Sequence, residues 1–431
     1  MVLTRIAGVI IGLSLVVGVW LSCWHNQPVS VCHVSTVAAP SVAELNKSID
    51  FAAQYLQQSC DRNGRFVYLR HRDRYVYYGK KYNLLRHAGT MYALADYYKR
   101  KPSKERADLL VRTAGFLGNF IGPLTQAGAD TRAILTFPGR MGSGPRGASP
   151  FAKLGGSGLG LVALTAVESI IPGTVPLEDL RGLGHFIRFM QTPAGRFYSK
   201  YYPDKGYETN WISLYYPGEA CLGLLMLYDL DPDPRWLDAA ARGLGFLART
   251  RKGARNVPAD HWALIATEKL LPKLTEVVDS PVSQQDLIDH ATQILKVVLS
   301  QQKTKWRDPD LIGSFFNDAR TTPAATRLEG ILAALRFLPE NMPELRTRLE
   351  HASEIGVAFL VRHQIREGAL KGGIPRAAHP LRKSKKNKAF NKRVGEVRID
   401  YVQHALSAMM GYQELVSRQS KTGSQKNQTV N

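Results

Sequence analysis

Cysteine is scarce in this chain, and so is acid. The four cysteines among 431 residues, Cys23, Cys32, Cys60 and Cys221, are too few and too scattered for a disulfide scaffold or a zinc ribbon. Histidine does not replace them. There are 11 histidines, but no His-x-x-x-His pair and no Cys partner supplies metal-ligand spacing, so neither a metal nor another cofactor is expected. No strand-rich region interrupts the helical patterns, which excludes a sandwich or a large sheet. Asp and Glu number 36 against 57 Lys and Arg, leaving a formal charge of +21.

An excess of that size suits nucleic acid, anionic lipid or an acidic polysaccharide. The amino terminus chooses among them. Ile6 to Ser22 is a charge-free apolar run behind Arg5, the pattern of a signal-peptide core or a short membrane anchor. The positive charge on its amino side puts the rest of the chain across the membrane. A periplasmic or extracellular protein is expected, held at the inner membrane if the segment (residues 1–22) is uncleaved, with residues 23–40 as a linker. Export removes nucleic acid as a partner. Part of the excess is local: His379 to Arg393 carries Arg382, Lys383, Lys385, Lys386, Lys388, Lys392 and Arg393 with no acid.

The body of the chain is a six-fold repeat. Runs of Ala, Gly and Leu that are apolar on more than one face begin near Arg86, Gly155, Pro217, Asp260, Thr326 and Asp400. Helices apolar nearly all round are buried on most sides, so these are inner helices. Between them lie amphipathic patterns at 41–59, 103–120, 177–191, 234–249, 284–302 and 344–364, which read as outer helices. One helix pair repeated at a period of about 55 to 70 residues is a solenoid or a closed ring, and no pair could bury its faces alone. The expected fold is therefore all-α, an (α/α)6 toroid over residues 41–415, with a polar, disordered tail at 416–431. One phrase also recurs between outer and inner helix: Asp61-Arg62-Asn63-Gly64-Arg65-Phe66, then Thr192-Pro193-Ala194-Gly195-Arg196-Phe197, with a looser copy over 364–375. The links from outer to inner helix are the long ones, and long links carry function, so the site belongs at the amino ends of the inner helices.

On this architecture the chain resembles the six-hairpin glycosidase-like enzymes, which include glycoside hydrolases, polysaccharide lyases and uronyl or N-acetylhexosamine epimerases. The resemblance implies a substrate groove with acidic and aromatic residues at the inner-helix starts. Other toroids fit less well, because terpene cyclases need an Asp-rich motif and lanthionine cyclases or protein prenyltransferases need zinc ligands. Gly142 to Gly147 matches G-x-G-x-x-G formally, but without the strand-turn-helix context of dinucleotide binding.

The polar residues at the six starts are the candidates for chemistry. They are Tyr82, Asn83, Arg86 and His87; Tyr215, Tyr216 and Glu219; Asp260, His261 and Trp262; Arg327 and Glu329; and Asp400, Tyr401 and His404. Glu219, set among aromatics behind Pro217-Gly218, is the expected general acid or base, with Asp260 as its partner, and the others are expected to bind substrate. A glycosidase needs two such carboxylates flanking one bond; an epimerase or lyase needs a proton-abstracting base near a carboxylate clamp. The expected activity is hydrolysis, epimerisation or elimination on an anionic polysaccharide or oligosaccharide. The alternative is a noncatalytic toroid that binds glycan or protein in an envelope-assembly complex.

Overall fold

The computed structural model describes residues 37–72, 82–139 and 147–428. Twelve long helices alternate as expected. The outer ones are α1 (Val42–Gln58), α3 (Lys104–Gly118), α5 (Leu177–Phe189), α7 (Pro234–Arg251), α9 (Gln284–Gln301) and α11 (Pro343–Arg362). The inner ones are α2 (Leu84–Arg100), α4 (Leu154–Glu168), α6 (Tyr216–Leu230), α8 (His261–Leu270), α10 (Thr321–Phe337) and α12 (Ile399–Gln428). Side-chain caps set many of the starts: Ser41, Asn83, Ser103, Asp233 and Asp260 each accept a first-turn N–H, and Ser283 forms a capping box with Asp286.

Each inner helix packs on the next, and α12 packs back on α2, so the ring is closed. The composition of the inner helices makes this possible. Every residue of α4 from Leu154 to Val167 is buried, as a helix walled in by neighbours must be. Cys221 is buried in α6 as a small apolar residue.

The recurring glycine phrase is a hook onto the next outer helix. Gly64, with φ +80°, lies where a methyl group would meet the Arg112 carbonyl of α3 at 2.0 Å; Gly195, at +94°, meets the Arg242 carbonyl of α7 at 2.3 Å. The looser copy is the same device, with Gly372 at +88° against the Phe51 carbonyl of α1. A fourth, Gly313 at +92° against Ile355 of α11, escapes notice in the sequence. Only glycine combines this backbone with so close an approach. At three of these joints a glutamine reinforces the hook by donating to a carbonyl of the next outer helix: Gln191 to Ala239, Gln302 to Ala352 and Gln364 to Ser48, at 2.9, 2.8 and 2.9 Å.

Two features differ from expectation. Short strands occupy the mouth-side links: β2 (Ile121–Pro123), β3 (Arg132–Thr136), β4 (Phe151–Lys153), β5 (Lys200–Tyr202) and β6 (Gly206–Tyr207) make one antiparallel sheet, and β1 (Leu69–His71) pairs with β7 (Glu396–Arg398). They are too short to show a period in sequence. The last inner helix also runs on to Gln428, through most of the expected tail, supported near its end by the i,i+4 pair of Glu414 and Arg418. Among the described residues no helix is long and apolar enough to cross a membrane. The Ile6–Ser22 run, Cys23, Cys32 and all of the Gly142–Gly147 match except Gly147 lie outside them.

Candidate active site

The ring opens at the amino ends of the inner helices into a cavity of about 590 Å³. Two imidazoles face each other in its wall. His261 opens α8 and His404 lies in the second turn of α12, with ring centroids 5.6 Å apart and planes at 76°. Glu329 of α10 joins them from behind: His404 Nδ1 donates to its Oε2 at 2.8 Å, while His261 Nε2 stands 3.7 Å from the same oxygen, too far for a hydrogen bond. Among the described residues, neither ring nitrogen of His261 has a hydrogen-bond partner, and both are buried.

The surroundings shift the two imidazoles in opposite directions. Burial, followed by the charges of His404 and Arg327, drives His261 well below the ordinary imidazole pKa. Burial works against charge on His404 too, but the Glu329 carboxylate, by charge and hydrogen bond, outweighs it and raises the pKa. Within one cavity, then, the surroundings push one imidazole toward its neutral form and the other toward its charged form. The ligand atoms of His261, Glu329 and His404 also lie within 4.8 Å of one another, close enough to share one cation. No sequence spacing announces this group, because its members come from three different helices.

Glu219 sits in the first turn of α6, with Pro217 at the start of that turn. It lies against α4 because Gly155 offers no side chain there: a methyl group on Gly155 would be 2.4 Å from Glu219 Oε2 and 2.2 Å from the Tyr216 ring. The carboxyl is 3% exposed and Oε2 has no partner. Burial first, and the Asp260 charge second, raise its pKa well above the usual range, so it faces the cavity as a neutral acid. A carboxyl protonated in the fold and ionised in the unfolded chain gives stability that is full below the unfolded pKa of about 4.3 and is lost as pH rises through the folded value. Glu219→Gln keeps the neutral shape, so its unfolding free energy should fall less than that of the wild type between pH 5 and 8 (about that window) in denaturant titrations. Parallel pH profiles for the two proteins would mean that Glu219 is ionised in the fold.

Arginines surround these groups. Arg86 of α2 reaches Asp400 at 3.0 Å, and Arg398, placed by the pairing of β7 with β1, grips the same carboxylate at 2.5 and 2.9 Å. Asp400 is held below the ordinary carboxylate pKa: burial opposes its charge, but Arg398 and then Arg86 overcome it. The Tyr68 hydroxyl accepts from Arg86 Nη1. Arg320 and Arg327 both stack on Phe316, at 5.3 and 4.6 Å, and Arg376 and Arg393 complete the lining.

The structure brings Arg86, Tyr215, Glu219, His261, Trp262, Arg327, Asp400 and Tyr401 to the cavity wall, with Glu329 directly behind it. The remaining candidates have structural tasks. Asn83 caps α2. His87 is wholly buried, donates from Nε2 to the Thr113 carbonyl at 2.9 Å and meets the Tyr82 hydroxyl at 2.7 Å; burial lowers its pKa to about 4. Tyr82 in turn accepts from the Phe66 amide at 3.1 Å. Tyr216 packs edge-on against Trp211 outside the cavity lining. Asp260 is fully buried: it accepts from the Ala263 amide as the cap of α8 and from Arg251 at 2.9 Å. Sequence reasoning missed Phe316, Arg320, Arg376, Arg398 and Gln403, and had Arg393 only as one of the basic residues of 379–393. All but Gln403 lie before or between inner helices, and the charge excess around 379–393 was the one signal pointing toward them.

No family model matches the sequence, and no curated protein matches it. Solved structures do match in three dimensions. A D-mannose isomerase superposes with a TM-score of 0.58 at 13% identity, covering 90% of this chain and all of that one. Cellobiose 2-epimerase from Bacillus thermoamylovorans gives 0.58 at 11% identity over 86% of this chain and 98% of that one. A GH76 α-1,6-mannanase from a Salegentibacter species gives 0.53 at 10% identity, covering 85% and 98%. The closed ring of inner helices, the mouth at their amino ends and these superpositions together identify the fold as an (α/α)6 toroid, the fold of these three enzymes.

Proposed function

We propose that the protein is an exported carbohydrate-active enzyme that moves a proton at a sugar carbon of an anionic glycan, the chemistry of an epimerase or lyase. The observation that carries this reading is the pair of imidazoles 5.6 Å apart in the cavity wall, of which Glu329 bonds His404 at 2.8 Å and leaves His261 unbonded at 3.7 Å, a difference that pushes His404 toward its charged form while burial pushes His261 toward its neutral one. Neutral His261 takes a proton from a carbon made acidic by a neighbouring carbonyl or carboxylate, so that the C–H electron pair spreads onto oxygen. The arginines stabilise that charge as it develops. His404 then returns a proton, to the opposite face for epimerisation or to a leaving oxygen for elimination. Mannose isomerase and cellobiose epimerase, whose names describe rearrangements of a sugar's own carbons, share the fold.

Several features support an anionic glycan. Among the described residues six arginines line the cavity, against two carboxyl groups, of which burial pushes Glu219 toward its neutral form. The exposed 379–393 segment stands on the same mouth-side end and is held in shape by Asn391, whose side chain bonds both the amide and the carbonyl of Leu381 at 2.8 Å. The apolar run at Ile6–Ser22 supports export, with or without retention of an anchor.

A second reading is hydrolysis with Glu219 as general acid, favoured by its neutral, unpartnered carboxyl. The opposing carboxylate that hydrolysis needs is then the difficulty, since Asp260 is in the wall and Asp400 is clamped by two arginines. Turnover of glucuronate, mannuronate and galacturonate oligomers in heavy water separates the readings. Proton transfer at carbon puts solvent deuterium on a ring carbon or leaves an unsaturated product, both visible by NMR and mass spectrometry. Hydrolysis yields shorter chains with every C–H intact. Dialysis against a chelator should leave turnover unchanged; its loss and recovery with a divalent ion would make His261, Glu329 and His404 metal ligands instead.

A further inference from the structure

The cavity arginines are not equivalent, and the difference locates the negative charge of the ligand. Arg86 and Arg398 share Asp400, Arg393 is paired with Glu396 and Arg320 with Asp318. Arg327 has only neutral partners, Gln301 Oε1 at 2.8 and 3.0 Å and the Pro323 carbonyl at 3.1 Å. Arg376 lies over the Phe390 ring at 4.9 Å, and its buried Nη1 has no hydrogen-bond acceptor. Among the described residues, two guanidiniums in one cavity thus have no carboxylate of their own, and one holds an unanswered donor.

We propose that Arg327 and Arg376 form the carboxylate site for the reacting sugar, so that the substrate unit is a uronic acid whose own carboxylate activates the carbon that loses its proton. This rests on the proton-transfer reading above. A guanidinium held over an aromatic ring presents a fork of N–H donors that matches a planar carboxylate at two points. Arg327 lies over Phe316 at 4.6 Å, and Arg376 over Phe390. Arg327 and His261 line the same cavity. A carboxylate bound to Arg327 is thereby held in the cavity that contains the base, and the carbon bearing that carboxylate is the one presented for attack. The same position lets the guanidinium take up the charge that moves onto the carboxylate when the proton leaves. The surface lysines of 383–392 have no such placement; they raise the local concentration of any polyanion without choosing its chemistry.

The test is binding without turnover, measured by titration calorimetry on the full-length protein with three ligands: a uronic-acid oligosaccharide, the same chain with its carboxyls reduced to alcohols, and a sulfated neutral chain. The wild type should bind the uronate tightest. Arg376→Gln and Arg327→Lys, the second keeping charge but losing the fork, should each weaken uronate binding about ten- to hundredfold while leaving the reduced chain unaffected. Thermal melts of both variants establish that they are folded. Equal wild-type affinity for uronate and reduced chain overturns the carboxylate site and leaves the glycan reading standing. Equal affinity for the sulfated chain makes the site a general anion site and overturns the uronate assignment. Failure of all three chains to bind overturns the glycan reading and this inference with it.

Discussion

Replacing His404 by Asn should lower turnover about 10²- to 10⁴-fold, the usual contribution of one positioned proton donor or acceptor, while glycan affinity stays within a few-fold. Asn keeps a polar group near Glu329 but cannot carry the proton that the glutamate now holds on the imidazole. His261→Asn should cost a similar factor, and the double variant little more than either single one, because the two act as a unit. The pH profile carries a further signature. His261 must be neutral and His404 charged, so activity should hold between the depressed pKa of the first and the raised pKa of the second, falling on the alkaline side as His404 loses its proton. Glu329→Gln removes the charge that raises His404 and should move that alkaline limb to lower pH. Stability has the same sign: the His404–Glu329 contribution is complete below the unfolded histidine pKa of about 6.5 and is lost as pH rises through the folded value. Normal turnover in His404→Asn would end the proton-transfer reading.

Asp260→Asn should act on stability and hardly on chemistry. Asn keeps an acceptor for the Ala263 amide, so the cap of α8 survives, but the charge facing Arg251 is gone. Arg251 is itself mostly buried, and breaking a buried pair from one side leaves an uncompensated charge at a cost of about 3–5 kcal/mol. A melting-temperature loss of several degrees, with the kcat of folded protein within a few-fold of wild type, would fit an ion pair of the wall. The opposite result, an intact melt with turnover lost, would return Asp260 to the role expected from sequence as the partner of Glu219.

The architecture was readable because burial dictates composition. A helix walled in on all sides, such as Leu154–Val167, shows no polar stripe, and an outer helix such as Val42–Gln58 shows one. The inner-helix starts were readable as the mouth for a related reason: long links need a common end. Orientation around each start was not readable. Asp260 and His261 are neighbours in sequence, but Asp260 is the non-helical cap of α8, turned back onto the Ala263 amide and Arg251, while His261 opens the helix at the cavity. His87 and Tyr82 are polar residues at an inner-helix start that answer each other inside the core. Helix α10 begins at Thr321, five residues before Thr326, because proline is tolerated in a first turn and Pro323 hid the start. Arg376 and Arg398 enter the cavity from segments with no helical period, and nothing local marks them.

The hook that joins α11 to α1 has a consequence for how the molecule is made. Its glutamine bond, Gln364 to the Ser48 carbonyl, spans 316 residues. A chain emerging from the ribosome at about 5–20 residues per second therefore exposes the apolar face of its first helix for tens of seconds before the partner segment exists. Until then the growing ring is an open arc with two uncovered ends, and closure is a late, non-local step of the kind that slows folding. Nascent protein should draw on holding chaperones throughout that interval, and truncation before Gln364 should yield aggregates rather than a smaller stable arc.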